Sequence, residues 1–279
     1  MKFPAILGHE GAGVILALGS SVTNSALKVG DHVLLSFTVC RDCHPCREQR
    51  VAKCVAVPLL NLRATRVLDD STSARFSDGT GVRAQFFGQS SFSKISAVHE
   101  QCVVKCPDSA IENLALYAPM GCGFQTGAGT ILNILKPKPY HSLVIFGLGS
   151  VGFTVLMAAV LLGVEKIIAI DIVDEKLRIA QELGATDIFN SSGLGDVVVE
   201  KVRQWTGRGA DYAVDTTGVP QVVEQLADCL GQGGTAALIG GPPIESKIEL
   251  NLGSFFYESK NLISVIEGDS YPPEVRENT

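Results

Sequence analysis

The chain has 279 residues, 46% of them apolar, and a formal net charge of −6. That length and apolar content can build one large core or two ordinary ones, and the acidic balance leaves no basic footprint for nucleic acid. No run of about eighteen apolar residues occurs, so no membrane span is expected.

The first ten residues carry too short an apolar stretch for a secretory signal. A cytoplasmic, reducing compartment is therefore expected, where the eight cysteines serve as thiols or metal ligands rather than disulfides. The first motif is Gly8-His9-Glu10, an imidazole beside a carboxylate among glycines, a pairing that suits a metal ligand, although such a histidine by itself is more often an ordinary loop residue. Apolar alternation over residues 13–18 and 31–35 predicts two strands joined by the polar turn 20–28, with His32 structural.

Cys40, Cys43, Cys46 and Cys54 follow, separated by two, two and seven residues. Four thiolates so spaced can wrap one tetrahedral zinc, and since every position is cysteine no ligand place stays open for substrate, which predicts a structural site. Spacing does not choose the metal, and an iron–sulfur cluster is the chemical competitor. Residues 61–81, rich in Asp, Ser, Thr and Arg, are expected to form an exposed loop. The aromatics of 86–92 suit a core or a pocket, 98–104 is strand-like, and Cys102, Cys106 and Cys229 lack ligand spacing and are expected to be inert thiols. Cys122 stands between two glycines ahead of a helical stretch, 127–135, and Pro137 and Pro139 mark a boundary before a second domain.

That domain opens with an apolar run, 143–146, then Gly147-Leu148-Gly149-Ser150-Val151-Gly152, an apolar segment without proline, a second apolar run, 167–170, and Asp171. Strand, glycine turn, helix, strand and a closing acid about twenty residues beyond the last glycine form a dinucleotide-binding unit. Asp171 can accept from ribose hydroxyls and repels a 2′-phosphate, so NAD is expected over NADP. The helix 175–184 ends on glycine, and strands at 212–215 and 235–239 run into Gly218 and Gly240. Those strand ends face a dinucleotide in an open parallel, doubly wound sheet.

On Gly8-His9-Glu10 with Gly13, Gly19 and Val22, the cysteine quartet, residues 121–127 and the Gly147–Gly152 turn, the chain resembles the zinc-dependent medium-chain alcohol dehydrogenases, and among them those of aryl or benzyl alcohols. The resemblance implies an α/β protein: a partial GroES-like, β-rich catalytic domain at 1–138, a Rossmann NAD-binding domain at 139–267, and at 268–279 the start of a return to the catalytic domain. It implies that Cys40, Cys43, Cys46 and Cys54 hold the structural zinc. His9 and Cys122 match two of three catalytic-zinc ligands, with Glu10 close by as a further candidate, and Lys176 contacts the adenosine ribose. The stretch matching 86–92 lies near the substrate cleft. The implied reaction is hydride transfer between a primary alcohol, aromatic or allylic, and NAD, in a cytoplasmic enzyme that by family habit forms a homo-oligomer.

His9 has eight residues ahead of it, and the family's first zinc ligand is a cysteine about twenty residues before the His-Glu pair. A catalytic zinc site left incomplete in a shortened chain is therefore expected. Two readings stay open, a dehydrogenase and a remnant that binds zinc and NAD without turnover.

Overall fold

A computed structural model describes residues 2–193, 195 and 197–270. The chain divides into two compact units, one reaching to Gln125 and resuming at Ser270, the other Thr126–Asp269. Residues 271–279, most of the expected return segment, lie outside the described residues. No helix of the described residues is long and apolar enough to cross a membrane.

In the first unit β1 (Ala12–Val14), β2 (His32–Leu35) and β5 (Val103–Lys105) form an antiparallel sheet in the order β1-β2-β5, and β3 (Ala74–Arg75) pairs with β4 (Gly81–Val82). Its helices are short: α1 (His44–Arg47), α2 (Val57–Leu62) and α3 (Leu114–Tyr117), while α4 (Gly123–Gly129) starts in this unit and runs on into the second. The last continues as a π-helix over Thr130–Leu135, giving the helix expected at 127–135. β1 is shorter than its alternation predicts. It ends at Val14, Ile15 adds two backbone bonds to Gly30 and Asp31, and Leu16 is already exposed; an alternating run stays a strand only while a partner strand accompanies it.

Two further expectations are corrected here. Residue 61 does not begin an exposed loop: Asn61 is fully buried near the end of α2, where its amide donates to the carbonyls of Thr38 and Val57 and its oxygen accepts from the Thr38 amide at 2.9 Å. The strand expected from residue 98 begins at Val103, because Glu100–Cys102 turns as a 3-10 helix held by the His99 side chain. Cys102, Cys106 and Cys229 are buried, and burial pushes all three thiols up, Cys229 to about 12, as inert thiols require.

The second unit is a six-stranded parallel sheet in the order β11-β10-β9-β6-β7-β8. Its strands are β6 (Ser142–Phe146), β7 (Lys166–Asp171), β8 (Asp187–Asn190), β9 (Ala210–Asp215), β10 (Leu230–Leu238) and β11 (Asn261–Ser264). Between them run α5 (Ser150–Leu161), α6 (Asp174–Glu182), α7 (Val197–Thr206), α8 (Pro220–Cys229) and α9 (Leu252–Tyr257). Alternate strand residues serve opposite faces. Leu143, Ile145, Ile167 and Val214 pack with α5 and α6, while Val144, Phe146, Ile168 and Ala213 pack with α7 and α8. Helices on both faces explain why β6 and β7 read as unbroken apolar runs. The order reverses at β6, with β7 and β8 on one side and β9 to β11 on the other, so the glycine turn leaving β6 stands where a doubly wound sheet opens a crevice.

Candidate functional site

The three glycines of the turn meet different surroundings. Gly147 has φ +89, a left-handed value that favours glycine, and a Cβ there would lie 2.5 Å from Thr216 Oγ1. At Gly152 a Cβ would lie 2.0 Å from the Gly147 carbonyl oxygen, so glycine is what lets the first turn of α5 close on the end of β6. A Cβ on Gly149 would meet nothing within 4 Å. It would stand in the open cradle at the N-terminus of α5, where Gly149 offers no side-chain cap and the amides of Ser150, Val151 and Gly152 form the first turn. The loops leaving β9 and β10 pack backbone against backbone: a Cβ on Gly218 would lie 2.8 Å from the Gly241 carbonyl, and one on Gly240 2.3 Å from the Gly218 amide.

Asp171 closes β7 with little exposed surface. Its Oδ2 accepts from the Leu148 amide at 2.6 Å, inside the glycine turn, its Oδ1 from the amides of Ile172 and Val173, and Lys176 Nζ stands 3.8 Å away. An open cradle at a helix N-terminus, with an acid at the end of the next strand and a lysine in the helix that follows it, fits a dinucleotide.

In the first unit, the Sγ atoms of Cys40, Cys43, Cys46 and Cys54 lie within 4.8 Å of one another. Cys40 is 3.4 Å from Cys54 and 3.9 Å from Cys46, close to the edge of about 3.8 Å set by a tetrahedron with Zn–S bonds of about 2.3 Å. Cys43 caps α1, Cys46 lies inside it, and Cys54 follows the 3-10 turn Val51–Lys53. Backbone amides of Asp42 and Cys43 pull the Cys40 thiol down to about 6, while burial pushes Cys46 up to about 12. The quartet fits one zinc ion, with each thiol displacing its proton on binding.

His9, Glu10 and Cys122 belong to the same unit but do not close into a group. Among the described residues, the cysteine quartet is the group of three or more such side chains gathered within reach of one ion. The His9 ring packs on Phe87 at 4.6 Å and edge-on to Phe86 at 5.8 Å. Burial lowers its pKa, which favours the neutral, ligating imidazole, and Glu10 raises it to a lesser degree. The Glu10 carboxylate accepts from the Gly123 amide at 3.0 Å. Cys122 is placed by Gly121, whose missing side chain admits the Leu35 carbonyl to 1.8 Å of where a Cβ would stand, and whose own carbonyl accepts from Ser36 Oγ at 2.7 Å. The donor types suit zinc, but as placed their atoms do not fit one.

Gln89 is the organiser that residue patterns alone did not reveal. Fully buried, it donates to the carbonyls of His9 and Ser36 at 2.9 and 2.8 Å and accepts from the Gly11 amide at 3.1 Å, tying the His9 loop to the end of β2. Its only signal in the sequence was an uncharged amide inside the aromatic stretch 86–92.

Known proteins resemble this chain in sequence and fold. Residues 1–108 match the alcohol dehydrogenase GroES-like domain and residues 150–278 the zinc-binding dehydrogenase domain. Over 274 residues the chain is 36% identical to a geraniol dehydrogenase of Castellaniella defragrans, covering 98% of this chain and 71% of that protein. Among solved structures, an alcohol dehydrogenase zinc-binding domain protein from Burkholderia ambifaria superposes with a TM-score of 0.90 at 39% identity, over 98% of this chain and 72% of that one. The benzyl alcohol dehydrogenase of Acinetobacter calcoaceticus gives 0.86 at 35%, with the same coverage.

Proposed function

We propose that this chain, which belongs to the zinc-binding alcohol dehydrogenase family, interconverts a primary alcohol, aromatic or allylic, and its aldehyde with NAD. The carbon–hydrogen bond of the alcohol breaks, its electron pair leaves as hydride to the nicotinamide, and the hydroxyl proton goes to water. The observation that carries this reading is 36% identity along 98% of the chain with a geraniol dehydrogenase, joined to a glycine turn of the required shape.

The residues divide the work. Gly147, Gly149 and Gly152 let the backbone and the amides of Ser150 and Val151 face the pyrophosphate. Asp171 and Lys176 receive the adenosine ribose, where the carboxylate also disfavours a 2′-phosphate, and Gly218 and Gly240 border the rest of the dinucleotide. Cys40, Cys43, Cys46 and Cys54 hold a structural zinc, which cross-links a lobe of short helices. His9, Glu10 and Cys122 are assigned to the alcohol end, and the hydride acceptor is the dinucleotide.

Functionally, residues 1–138 form the catalytic domain, 139–267 the cofactor domain and 268–279 the return. The enzyme works in the cytoplasm, where eight cysteines stay reduced. It works as a homo-oligomer: β11 is an end strand of its sheet, and neighbouring α9 exposes Leu252, Phe256 and Tyr257.

The test is NADH formation by the zinc-loaded chain with benzyl alcohol or geraniol, matched by aldehyde produced. NAD binding with no turnover would replace this reading by a zinc- and nucleotide-binding protein without catalysis.

A further inference from the structure

Asp215 has no exposed surface, and it ends β9 between β10 and β6 in the middle of the sheet. A buried carboxylate is costly unless its lone pairs are used. Here Oδ1 accepts from the Thr217 amide at 2.9 Å and from Thr217 Oγ1 at 2.6 Å, while Oδ2 accepts from the Gly218 amide at 3.0 Å. Thr217 Oγ1 accepts in turn from the Val219 amide at the entry to α8. The backbone carbonyl of Asp215 takes the amides of Ile239 and Gly240, both at 3.0 Å. One residue thus fixes the loops after β9 and β10.

The next residue reaches the third loop. Thr216 Oγ1 lies 3.0 Å from both the Phe146 and the Gly147 carbonyl oxygens and shares its proton between them, and the Thr216 amide donates to Phe146 at 2.9 Å. Asp215 and Thr216 therefore join the glycine turn, the 216–218 loop and the 240–241 loop into one frame. None of the three side-chain bonds of Asp215 supports the ladder of the sheet; all go to the loop at its carboxyl edge.

The strand order says which half of the dinucleotide that frame serves. Asp171 marks the adenosine side on β7, the pyrophosphate crosses at the turn after β6, and β9 and β10 stand on the opposite side of that crossing. We infer that Asp215 and Thr216 are positioning residues for the nicotinamide half of NAD, an inference that rests on the cofactor reading above.

The experiment measures dissociation constants for NADH and for AMP, which carries the adenosine half, on the full chain and on Thr216→Val, Thr216→Ser and Asp215→Asn. Valine keeps the shape of threonine and loses the shared donor; asparagine must turn an N–H₂ group toward one of the loop amides. Both are expected to weaken NADH by about tenfold or more, the scale of one buried hydrogen bond to a charged or constrained partner. AMP binding should change by less than about twofold, and Thr216→Ser should restore NADH affinity. Equal losses for NADH and AMP would show a merely structural role and overturn the inference, as would unchanged NADH affinity in Thr216→Val, which also covers the case of Asp215→Asn failing to fold. An unaltered chain that binds neither ligand would overturn the cofactor reading itself, and this inference with it.

Discussion

Replacing Gly149 by alanine should separate cofactor binding from folding. Gly149 has φ −81 and ψ −170, extended backbone that any residue adopts, and its added Cβ would meet nothing within 4 Å. Removing a glycine at such a position stabilises a protein by about 0.4–1 kcal/mol through the unfolded chain. The same methyl stands in the cradle proposed for the pyrophosphate, where overpacking costs about 1–3 kcal/mol, or roughly a 5- to 150-fold loss of NADH affinity. Gly152→Ala is the contrast. Its Cβ would lie 2.0 Å from a backbone oxygen, which no side-chain rotation can relieve, so the turn must shift and stability should fall by about 3 kcal/mol or more along with binding. Urea unfolding followed by the fluorescence of Trp205, which lies in α7, gives the stabilities, and NADH titration gives the affinities. Gly149→Ala binding NADH as tightly as the unaltered chain would refute the placement of the pyrophosphate.

Three shorter predictions concern the metal, the cofactor and pH. Cys43→Ser should lose one zinc per chain and most of the soluble yield, since structural zinc contributes roughly 10 kcal/mol or more in small zinc peptides and a fraction of that rivals domain stability; unchanged zinc content and melting temperature would remove the structural zinc. Asp171→Ser should narrow the preference for NAD over NADP and weaken both, because the Leu148, Ile172 and Val173 amides lose their acceptor; equal binding of the two cofactors by the unaltered chain would show that the acid does not select. Burial holds the His99 pKa below 6.5, with Glu100 raising it and Arg41 lowering it by smaller amounts. The unfolded chain then binds a proton that the folded chain resists, so stability is flat above about pH 6.5 and declines as pH falls from there toward the folded value. His99→Gln should flatten that acid limb in a melting-temperature profile, and an identical slope would sink the assignment.

What could be read from residues alone divides by the range of the interactions concerned. The cofactor unit was legible because its rules are local: apolar runs such as 143–146 and 167–170, glycines at fixed offsets and an acid at the next strand end leave few alternatives. The cysteine quartet was legible for the same reason, with all four ligands inside fifteen residues. Gln89 and Asn61 were not, because Gln89 acts through carbonyls and an amide 53 to 80 residues away and Asn61 ties the turn of α2 to the Thr38 backbone 23 residues away, which no periodicity encodes. The extent of β1 depended on a neighbour, not on its own alternation, and the acceptors of Thr216 Oγ1 lie 69 and 70 residues before it.

The role of Glu10 brings these lines together. Its carboxylate is placed on the Gly123 amide, one residue beyond Cys122, so it links the His9 loop to the Cys122 loop across 113 residues of sequence. Two roles are separable by chemistry. If the carboxylate is a tie, Glu10→Gln keeps an oxygen that can accept from the amide, whereas Glu10→Ala removes it and costs about 1 kcal/mol, the usual worth of one partly exposed hydrogen bond. If it is a metal ligand, glutamine is nearly as damaging as alanine, because a neutral amide oxygen is a far poorer partner for zinc than a carboxylate. The geometry favours the tie: the melting temperature should fall in alanine and not in glutamine, and zinc bound per chain after dialysis should be the same in glutamine as in the unaltered chain. A glutamine variant that loses zinc while keeping its melting temperature would place the Glu10 oxygen on the metal instead.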